Sequence, residues 1–384
     1  MLDLLDIVGQ DAAVGAIQRM LGGTRRAHAL LFVGPAGVGR RTTAEALART
    51  LLCAQPRSQP NRGRLADLPA DAELARPCNE CDDCRMTAAG THPDFQLVYK
   101  ELARYHDDPA VRGRVMQELG IDVIRDFLIA PAARAPSRGR GKVFVVREAE
   151  LMSAEAQNAL LKTLEEPPPK VTIVLICRDA ADLLPTTRSR CWPVRFGSLP
   201  AQFVRDKVLQ AGAGEQEAAF WAAFTGGSVG RALRLAAGGV YALKRELLDR
   251  LAAAGAAGSG ELADLLVRQM DVLAQQAIAE VKQAEGADLA KTLASRQAAA
   301  MLLELLAAAF RDALTVATGS TRPLVHADQR EAVAALAGRF DAPALAEVLA
   351  QLAEYEELLW RNVNPKTVWD NVAVTCASAA PLRV

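Results

Sequence analysis

The sequence predicts an α/β fold, in which helices flank a parallel sheet, followed by an all-α region. Short apolar runs of strand length alternate with segments of helical periodicity in the first half of the chain. Strands that alternate with helices in this way favour a parallel sheet. After about residue 198, alanine and leucine dominate and no strand is predicted. We therefore expect a small helical domain over 199–237 and a helical bundle over 243–384.

Each element is assigned from its periodicity and its flanking residues. Apolar side chains recur at helical spacing over 10–22 and 341–361. Ser153 is a suitable N-cap for a helix that the prolines at 167–169 end. The segment 56–77 is rich in proline, arginine and aspartate without periodicity, so we predict an exposed loop there. In chain order, the elements predicted before residue 198 are helix 10–22, strand 29–33, helix 42–52, loop 56–77, strand 95–99, helix 121–128, loop 131–142, strand 143–146, helix 153–164 and strand 171–176.

Composition limits the kinds of function that the chain can have. Its 384 residues are enough for two or three domains. Lys plus Arg and Asp plus Glu number 45 each, so there is no overall basic footprint for nucleic acid. Acidic residues at positions 3 and 6 do not fit a signal peptide, and no apolar run is long enough for a membrane span. We expect a cytoplasmic protein.

A phosphate-binding loop with altered key positions follows the first predicted strand. In the working pattern G-x-x-x-x-G-K-[ST], the lysine reaches the β/γ-phosphates and the hydroxyl holds Mg²⁺. Gly34 and Gly39 fit that frame, which puts Arg40 at the lysine position and Arg41 at the hydroxyl position. Thr42 comes one residue late, about 100° further around a helix. We therefore predict that this loop does not support hydrolysis.

A third altered position follows the predicted strand 143–146. In phosphate-loop ATPases this strand delivers an aspartate that helps to hold Mg²⁺. Here Arg147 takes that place and Glu148 follows it. A positive charge where a cation must bind is a further argument against hydrolysis.

Closely spaced cysteines predict a metal site. Cys78, Cys81 and Cys84 form a C-x-x-C-x-x-C motif in a chain whose seven cysteines show no disulfide framework. Four thiolates suit a closed, structural zinc site, whereas nothing else in the sequence suggests the electron transfer of an iron–sulfur cluster. Cys53 and His92 are the alternatives for the fourth ligand.

Arg190 is a candidate for chemistry on a neighbouring molecule. It lies in the tripeptide Ser189-Arg190-Cys191, which follows the third predicted strand. An arginine in that place can project into the nucleotide site of an adjacent subunit and stabilise charge on the γ-phosphate, as an arginine finger does.

Taken together, these motifs resemble the bacterial clamp-loader subunits of the AAA+ class. The resemblance covers nearly the whole chain, and its most specific parts are the segment 157–168 and the Ser-Arg-Cys tripeptide. The residues that carry it are Gly9-Gln10, the loop 34–42, the cysteines of 78–84, His92-Pro93-Asp94-Phe95, Ile124-Arg125, the segment 157–168, Ser189-Arg190-Cys191, Gly230-Arg231-Ala232-Leu233 and Asn362-Val363-Asn364-Pro365-Lys366.

The resemblance implies three domains and a set of site residues. They are an AAA+ P-loop module over 1–197 with a zinc-binding insertion at about 53–92, a helical lid over 198–242 and a helical collar over 243–384. Arg190 would act in trans on the nucleotide of a neighbouring subunit. The implied zinc ligands are Cys53, Cys78, Cys81 and Cys84, and the degenerate nucleotide site comprises Gly34, Gly37, Gly39, Arg40, Arg41, Thr42, Glu148 and Arg231.

The resemblance also implies a role and partners. The motor subunits of the family, gamma and tau, keep an intact Lys-Thr pair and an acidic pair, which this chain lacks. It therefore resembles the non-hydrolysing stator, which joins gamma/tau and delta in a pentameric ring. That ring loads a sliding clamp on primer–template DNA for DNA polymerase III. Structural zinc in this chain and Mg-ATP in the neighbouring subunits are the expected cofactors.

Two other functions are open at this point. One is an active gamma/tau-like ATPase in which Arg40 replaces lysine, and nucleotide binding without turnover is a weaker form of it, since the backbone N–H groups of Gly37 and Gly39 are retained. The other is a zinc-dependent nucleic-acid-binding protein that uses the arginines at 134, 138 and 140, which the neutral net charge disfavours.

Overall fold

The computed structural model describes residues 2–23, 26–112, 118–253, 258–285, 290–361 and 363–377. The chain divides into two compact units, one formed by Met1–Pro200 with Gly227–Arg231 and the other by Ala201–Gly226 with Ala232–Val384. This division does not separate a lid from a collar, so the boundary expected near 242 stays a prediction. Residues 378–384 at the end of the predicted collar lie outside the described residues.

The first unit has the alternation of strands and helices that the sequence predicts. A π-helical turn, Arg125–Ile129, joins its helices α5 and α6. In chain order its elements are α1 (Asp11–Gly22), β1 (Ala29–Val33), α2 (Arg40–Leu52), β2 (Arg57–Pro60), β3 (Glu73–Arg76), α3 (Asp82–Ala89), β4 (Phe95–Val98), α4 (Pro109–Arg112), α5 (Ile121–Ile124), α6 (Ala130–Ala132), β5 (Lys142–Val146), α7 (Ala154–Glu165), β6 (Val171–Cys177), α8 (Pro185–Arg188) and β7 (Trp192–Arg195).

Five of these strands form one parallel sheet, which confirms the predicted fold class. The strand order is β4-β5-β6-β1-β7, and every pairing is parallel. All residues of β5 are buried, as are six of the seven residues of β6, because helices cover both faces of such a sheet. The carboxyl ends of β1, β5 and β6 therefore lie along one edge, where the loops after these strands meet.

Two strand pairings were not predicted. The first is β7, whose four residues include Pro193 and pair only with β1 at the edge of the sheet, where a proline is tolerated. The second lies in the segment 56–77, and the prediction of a loop there is wrong in part. Strands β2 and β3 form an antiparallel hairpin within it. Their side chains are mostly polar, so no alternating pattern marks them in the sequence.

The second unit is all helical over its described residues, as predicted. The N-cap Asp341 accepts a hydrogen bond from the amide of Ala344 and begins the long amphipathic helix expected at 341–361. Helix α11 starts in the first unit and ends in the second. The remaining helices are α9 (Ala201–Gln210), α10 (Glu215–Phe224), α11 (Val229–Ala237), α12 (Val240–Ala253), α13 (Ser259–Glu285), α14 (Lys291–Ala317), α15 (Arg330–Ala337), α16 (Ala342–Trp360) and α17 (Pro365–Ala377).

None of the described helices is both long enough and apolar enough to cross a lipid bilayer.

A buried ion pair lies in the core of the second unit. Lys244 is fully buried, and its Nζ lies 2.5 Å from Oδ2 of Asp328. The hydroxyl of Tyr241 donates to the same carboxylate oxygen at 2.7 Å, and the ring centroid of Phe220 lies 4.2 Å from the ammonium. Burial lowers the pKa of Lys244, and the Asp328 carboxylate opposes that shift.

Candidate functional site

The loop between β1 and α2 has a backbone that only glycine fits at two positions. Gly34 has φ +154°, and a Cβ there would lie 2.3 Å from the carbonyl oxygen of Phe196. Gly37 has φ +74°, and its Cβ would lie 2.2 Å from Oγ of Ser228. The amide of Gly230 donates to the carbonyl oxygen of Gly37 at 3.1 Å. The loop is therefore packed closely against the start of α11.

Gln10 fixes the other side of this loop. Its side chain is buried, and Nε2 donates to the carbonyl oxygens of Val38, at 3.1 Å, and Gly197, at 2.8 Å. Its Oε1 accepts from the amide of Gly197 at 3.1 Å. One amide group thus joins the phosphate-binding loop to the chain after β7. Sequence reasoning included Gln10 in a motif but assigned it no role, because its partner lies 187 residues away.

Arg40 does not extend into solvent at the mouth of the loop. Its side chain is buried, and its guanidinium donates to the main-chain carbonyl of Cys177, the last residue of β6. Burial lowers the pKa of Arg40, and the negative charge of Glu150 opposes that shift. Arg41 instead lies at the surface, where it pairs with Glu45 at 2.7 Å, and Thr42 is exposed.

Charged residues follow the carboxyl ends of β5 and β6. Arg147 lies over the ring of Tyr99, 5.6 Å from its centroid, and Glu148 adopts a left-handed backbone with φ +49°. Oε1 of Glu150 lies 3.5 Å from Nε of Arg178, while its Oε2 is buried without a hydrogen-bond partner among the described residues. Sequence reasoning missed Glu150, although an acidic residue three positions after Arg147 is visible in the sequence.

Arg231 lies beside the loop through its backbone. Its amide donates to Oγ of Ser228 at 3.3 Å, and its nitrogen lies 3.2 Å from the position that a Cβ on Gly37 would take. The structure thus brings Arg231 next to the degenerate phosphate-binding loop.

Arg190 is held by residues of its own chain. Its Nε donates to Oε1 of Glu165 at 2.7 Å, and its Nη2 donates to the same oxygen. Its Nη1 donates to the carbonyl oxygen of Thr186 at 2.8 Å and to Oγ of Ser189 at 3.4 Å. The sequence motif placed Glu165 near the end of a helix but did not indicate that it pairs with Arg190.

The four predicted cysteines meet in one cluster that could bind a metal ion. Their Sγ atoms all lie within 4.8 Å of one another, with 4.0 Å between Cys53 and Cys81 and 3.9 Å between Cys78 and Cys84. Tetrahedral zinc with Zn–S bonds of about 2.3 Å places its sulfur ligands roughly 3.8 Å apart. The donor set and its spacing therefore fit zinc.

Backbone amides prepare one thiol of the cluster for ligation. Burial by itself would raise the pKa of Cys78, but hydrogen bonds from the amides of Glu80 and Cys81 outweigh it and lower the pKa to about 6. Burial raises the pKa values of Cys53 and Cys84. If the cluster holds a metal ion, the charge of the ion would have to stabilise the thiolate forms of those two residues.

His92, the alternative fourth ligand, does not belong to the cluster. Its Nδ1 accepts from the amide of Asp94 at 3.0 Å, and its Nε2 lies 3.3 Å from Oδ1 of Asp83. The Asp94 carboxylate accepts from the amides of Ser137 and Arg138, both at 2.8 Å. The guanidinium of Arg138 donates to Asp83. These contacts join the cysteine segment to the loop before β5, so Arg138 contributes to the structure of that loop.

Comparison with known proteins places the chain among replication proteins. A family model described as "DNA polymerase III, delta subunit" matches residues 9–200, and one described as "DNA polymerase III, delta subunit, C terminal" matches residues 267–371. The chain is 36% identical over 177 residues to DNA polymerase III subunit delta' of Pseudomonas aeruginosa, covering 46% of this chain and 45% of that one.

Two further relatives come from Escherichia coli K12. Identity to its DNA polymerase III subunit delta' is 31% over 227 residues, or 59% of each chain. Identity to its subunit tau is 32% over 203 residues, or 53% of this chain and 27% of that one. The chain spans less than two thirds of the length of these curated relatives. Because both kinds of subunit match at similar identity, the residues of the site must distinguish them.

Proposed function

We propose, because the chain belongs to the DNA polymerase III delta subunit family, that it is a delta'-like stator of the clamp loader. In this role it does not hydrolyse ATP. It lends Arg190 to the ATP bound by a neighbouring gamma/tau subunit, in a ring that also contains delta. That ring places a sliding clamp on primer–template DNA, and we expect it to work in the cytoplasm.

The position of Arg40 is the observation that carries this proposal. A working loop needs a compact ammonium that reaches the β/γ-phosphates. The planar guanidinium of Arg40 is buried and engaged with the carbonyl of Cys177. Arg41, which stands where a hydroxyl should hold Mg²⁺, pairs with Glu45 at the surface. The positive charges of Arg40 and Arg178 both lie near Glu150, which would disfavour a further cation there.

The accessible position of Arg190 supports the second half of the proposal. Its side chain is 29% exposed, at the end of a segment that follows β6. An arginine finger can be worth roughly 10³–10⁵ in rate to the NTPase that receives it. A chain whose own site is altered can still retain such a residue, because the finger acts on another subunit.

The alternative is an active, tau-like ATPase. The 32% identity to subunit tau supports this alternative. In that case Arg40 would have to leave Cys177 when nucleotide binds, and Mg²⁺ would need ligands other than Arg41 and Arg147. Nothing in the described residues supplies a hydroxyl in the position that the loop pattern requires, so we favour the stator.

We further propose that the cysteine cluster binds structural zinc. All four tetrahedral positions would be filled by Cys53, Cys78, Cys81 and Cys84, which leaves no open position for a substrate. The metal would then stabilise the fold of the insertion and take no part in ATP chemistry.

The decisive experiment compares the chain alone with the chain in a reconstituted ring. The purified chain with Mg-ATP should show no ATPase activity above background. In a ring with gamma/tau and delta, Arg190→Ala should depress the ATPase rate while assembly, followed by size-exclusion chromatography, is unchanged. Turnover by the isolated chain that disappears in a Gly39→Val variant would establish the alternative, and an unchanged ring ATPase in Arg190→Ala would refute the finger.

A further inference from the structure

The guanidinium of Arg190 is largely occupied within its own chain. An arginine has five N–H donors. Glu165 accepts two of them on one carboxylate oxygen, and Thr186 and Ser189 accept from Nη1. Phosphate oxygens accept the same donors in the same planar geometry. Arg190 therefore cannot direct its Nε and Nη2 edge at a phosphate while it is paired with Glu165.

The position of Glu165 makes its carboxylate a suitable temporary partner. Glu165 is the last residue of α7, where the helix dipole disfavours a negative charge. Pairing with Arg190 offsets that repulsion. A positive charge beside the Glu165 carboxylate is therefore favourable, and Arg190 supplies it.

The pair is also weak enough to exchange. The side chains of Arg190 and Glu165 are 29% and 49% exposed. Solvent screens such a pair, so its contribution is typically about 0–1 kcal/mol. A triphosphate carries more negative charge than one carboxylate and can displace it, whereas a buried pair would resist displacement.

We propose that Glu165 is a holding residue for the finger. It pairs with Arg190 while the neighbouring nucleotide site is empty and releases it when a γ-phosphate is bound there. This inference rests on the proposed function, since it assumes that Arg190 acts in trans. It assigns to Glu165 the regulation of that site and no contact with the nucleotide.

Removing the charge of Glu165 should change how readily ATP engages the finger. A protein whose competent state is only partly populated binds its ligand with an affinity reduced by that fraction. Glu165→Gln weakens the held state and raises the competent fraction. The ATP concentration for half-maximal ring ATPase should therefore fall, by a factor of up to about five. The maximal rate should stay the same, because the contact between Arg190 and phosphate is unaltered once made.

The test measures ring ATPase against ATP concentration for four rings, each containing one variant of this chain. They contain Glu165→Gln, Arg190→Ala, the double variant and Glu166→Gln. Glu166 is the matched control, because it is an exposed carboxylate one residue further on and has no ion pair among the described residues. Glu165→Gln should lower the half-saturating concentration, Glu166→Gln should leave it unchanged, and the effect of Glu165→Gln should vanish when Arg190 is alanine.

The outcomes separate this inference from the proposed function. If Arg190→Ala depresses the rate but Glu165→Gln leaves the half-saturating concentration unchanged or raises it, the holding role is refuted and the stator stands. If the Glu165→Gln effect persists in the Arg190→Ala background, Glu165 acts by another route and the inference also fails. If Arg190→Ala has no effect on the rate, the finger is refuted and the holding role falls with it. A second variant, Glu165→Ala, should reproduce the shift of Glu165→Gln.

Discussion

Arg40 illustrates how a single residue changes the character of a site. The glycines around it keep the backbone of a phosphate-binding loop, with positive φ values at Gly34, Gly37 and Gly39. Its own side chain, however, turns inward to the carbonyl of Cys177 at the end of β6. The loop therefore keeps its glycine-dependent backbone between β1 and α2, while the guanidinium of Arg40 is engaged inside the protein.

Replacing Arg40 should cost stability without changing ATPase activity. Arg40→Ala removes a charge-assisted hydrogen bond to a carbonyl and leaves a gap beneath the loop, so we expect the free energy of unfolding of the first unit to fall by about 1–3 kcal/mol. Hydrogen exchange at β1, β5 and β6, followed by mass spectrometry in increasing urea, measures the loss in this unit. Arg41→Ala is the control, because the exposed pair with Glu45 is worth at most about 1 kcal/mol. A loss of equal size in both variants would contradict the role given to Arg40.

The β2–β3 hairpin shows how an element of polar sequence becomes ordered. Cys53 and Cys78 flank the hairpin on its two sides. The amide of Cys78 donates to the sulfur of Cys53 at 3.2 Å. Its strand β3 is attached to α1 through Gln18, whose amide group exchanges two hydrogen bonds with the backbone of Ala75 at 2.8 and 2.9 Å. Arg76 pairs with the buried Asp3 at 2.5 Å. The cysteine cluster thus closes the loop, and these polar contacts add to the burial of Leu74 in β3.

Removing the metal should release this hairpin and little else. Closing a long loop is entropically costly, and metal binding supplies free energy for it. We expect about one zinc ion per chain, and Cys81→Ser should release it. Hydrogen exchange monitored by mass spectrometry should then show loss of protection at 57–60 and 73–76, with β5 and β6 unchanged. Cys376→Ala, which alters a buried cysteine outside the cluster, should retain the metal. A metal-free native protein whose hairpin remains protected would refute this account.

At the scale of the whole molecule, the two units are stabilised by different kinds of interaction. The first is organised around a parallel sheet and a cysteine cluster, and the second packs helices around a core that contains a buried charge pair. Taking Lys244 and Asp328 out of water is costly, and their mutual pairing offsets that cost. Because a chain of two units need not unfold in one step, each unit requires its own probe.

Breaking the buried pair should destabilise the second unit strongly. Asp328→Ala leaves Lys244 buried without its carboxylate, which typically costs about 3–5 kcal/mol. The matched control is Glu215→Gln, which breaks the exposed pair between Arg205 and Glu215 and should cost about 0–1 kcal/mol. Tryptophan fluorescence in a Trp192→Phe background, which leaves only the tryptophans of this unit, including the buried Trp221, reports the transition in urea. Similar midpoints for the two variants would show that the buried pair is not important for stability.

The pair also predicts the response of this unit to acid. Burial by itself would raise the pKa of Asp328, but hydrogen bonds from Lys244 and Tyr241 outweigh it and hold the pKa below its usual range. A carboxyl group with a depressed folded pKa stabilises the protein above its unfolded pKa, which is about 3.9. That contribution should be lost as the pH falls further. In Asp328→Ala, the midpoint of urea unfolding should therefore depend less on pH in the acidic range than it does in the natural chain.

The sequence by itself determined the fold class, the order of the main elements and the departures of the loop from the phosphate-binding motif. Apolar runs and helical periodicity are local signals, and the substitutions at 40, 41 and 147 can be read against a motif of fixed spacing. Only the tertiary structure decided where side chains point. Arg40 contacts a carbonyl 137 residues away, Arg190 pairs with Glu165 at a separation of 25, and Cys53 rather than His92 joins the other three cysteines. Such contacts depend on how elements that are far apart in the sequence pack against one another, and no local pattern in the sequence encodes that packing.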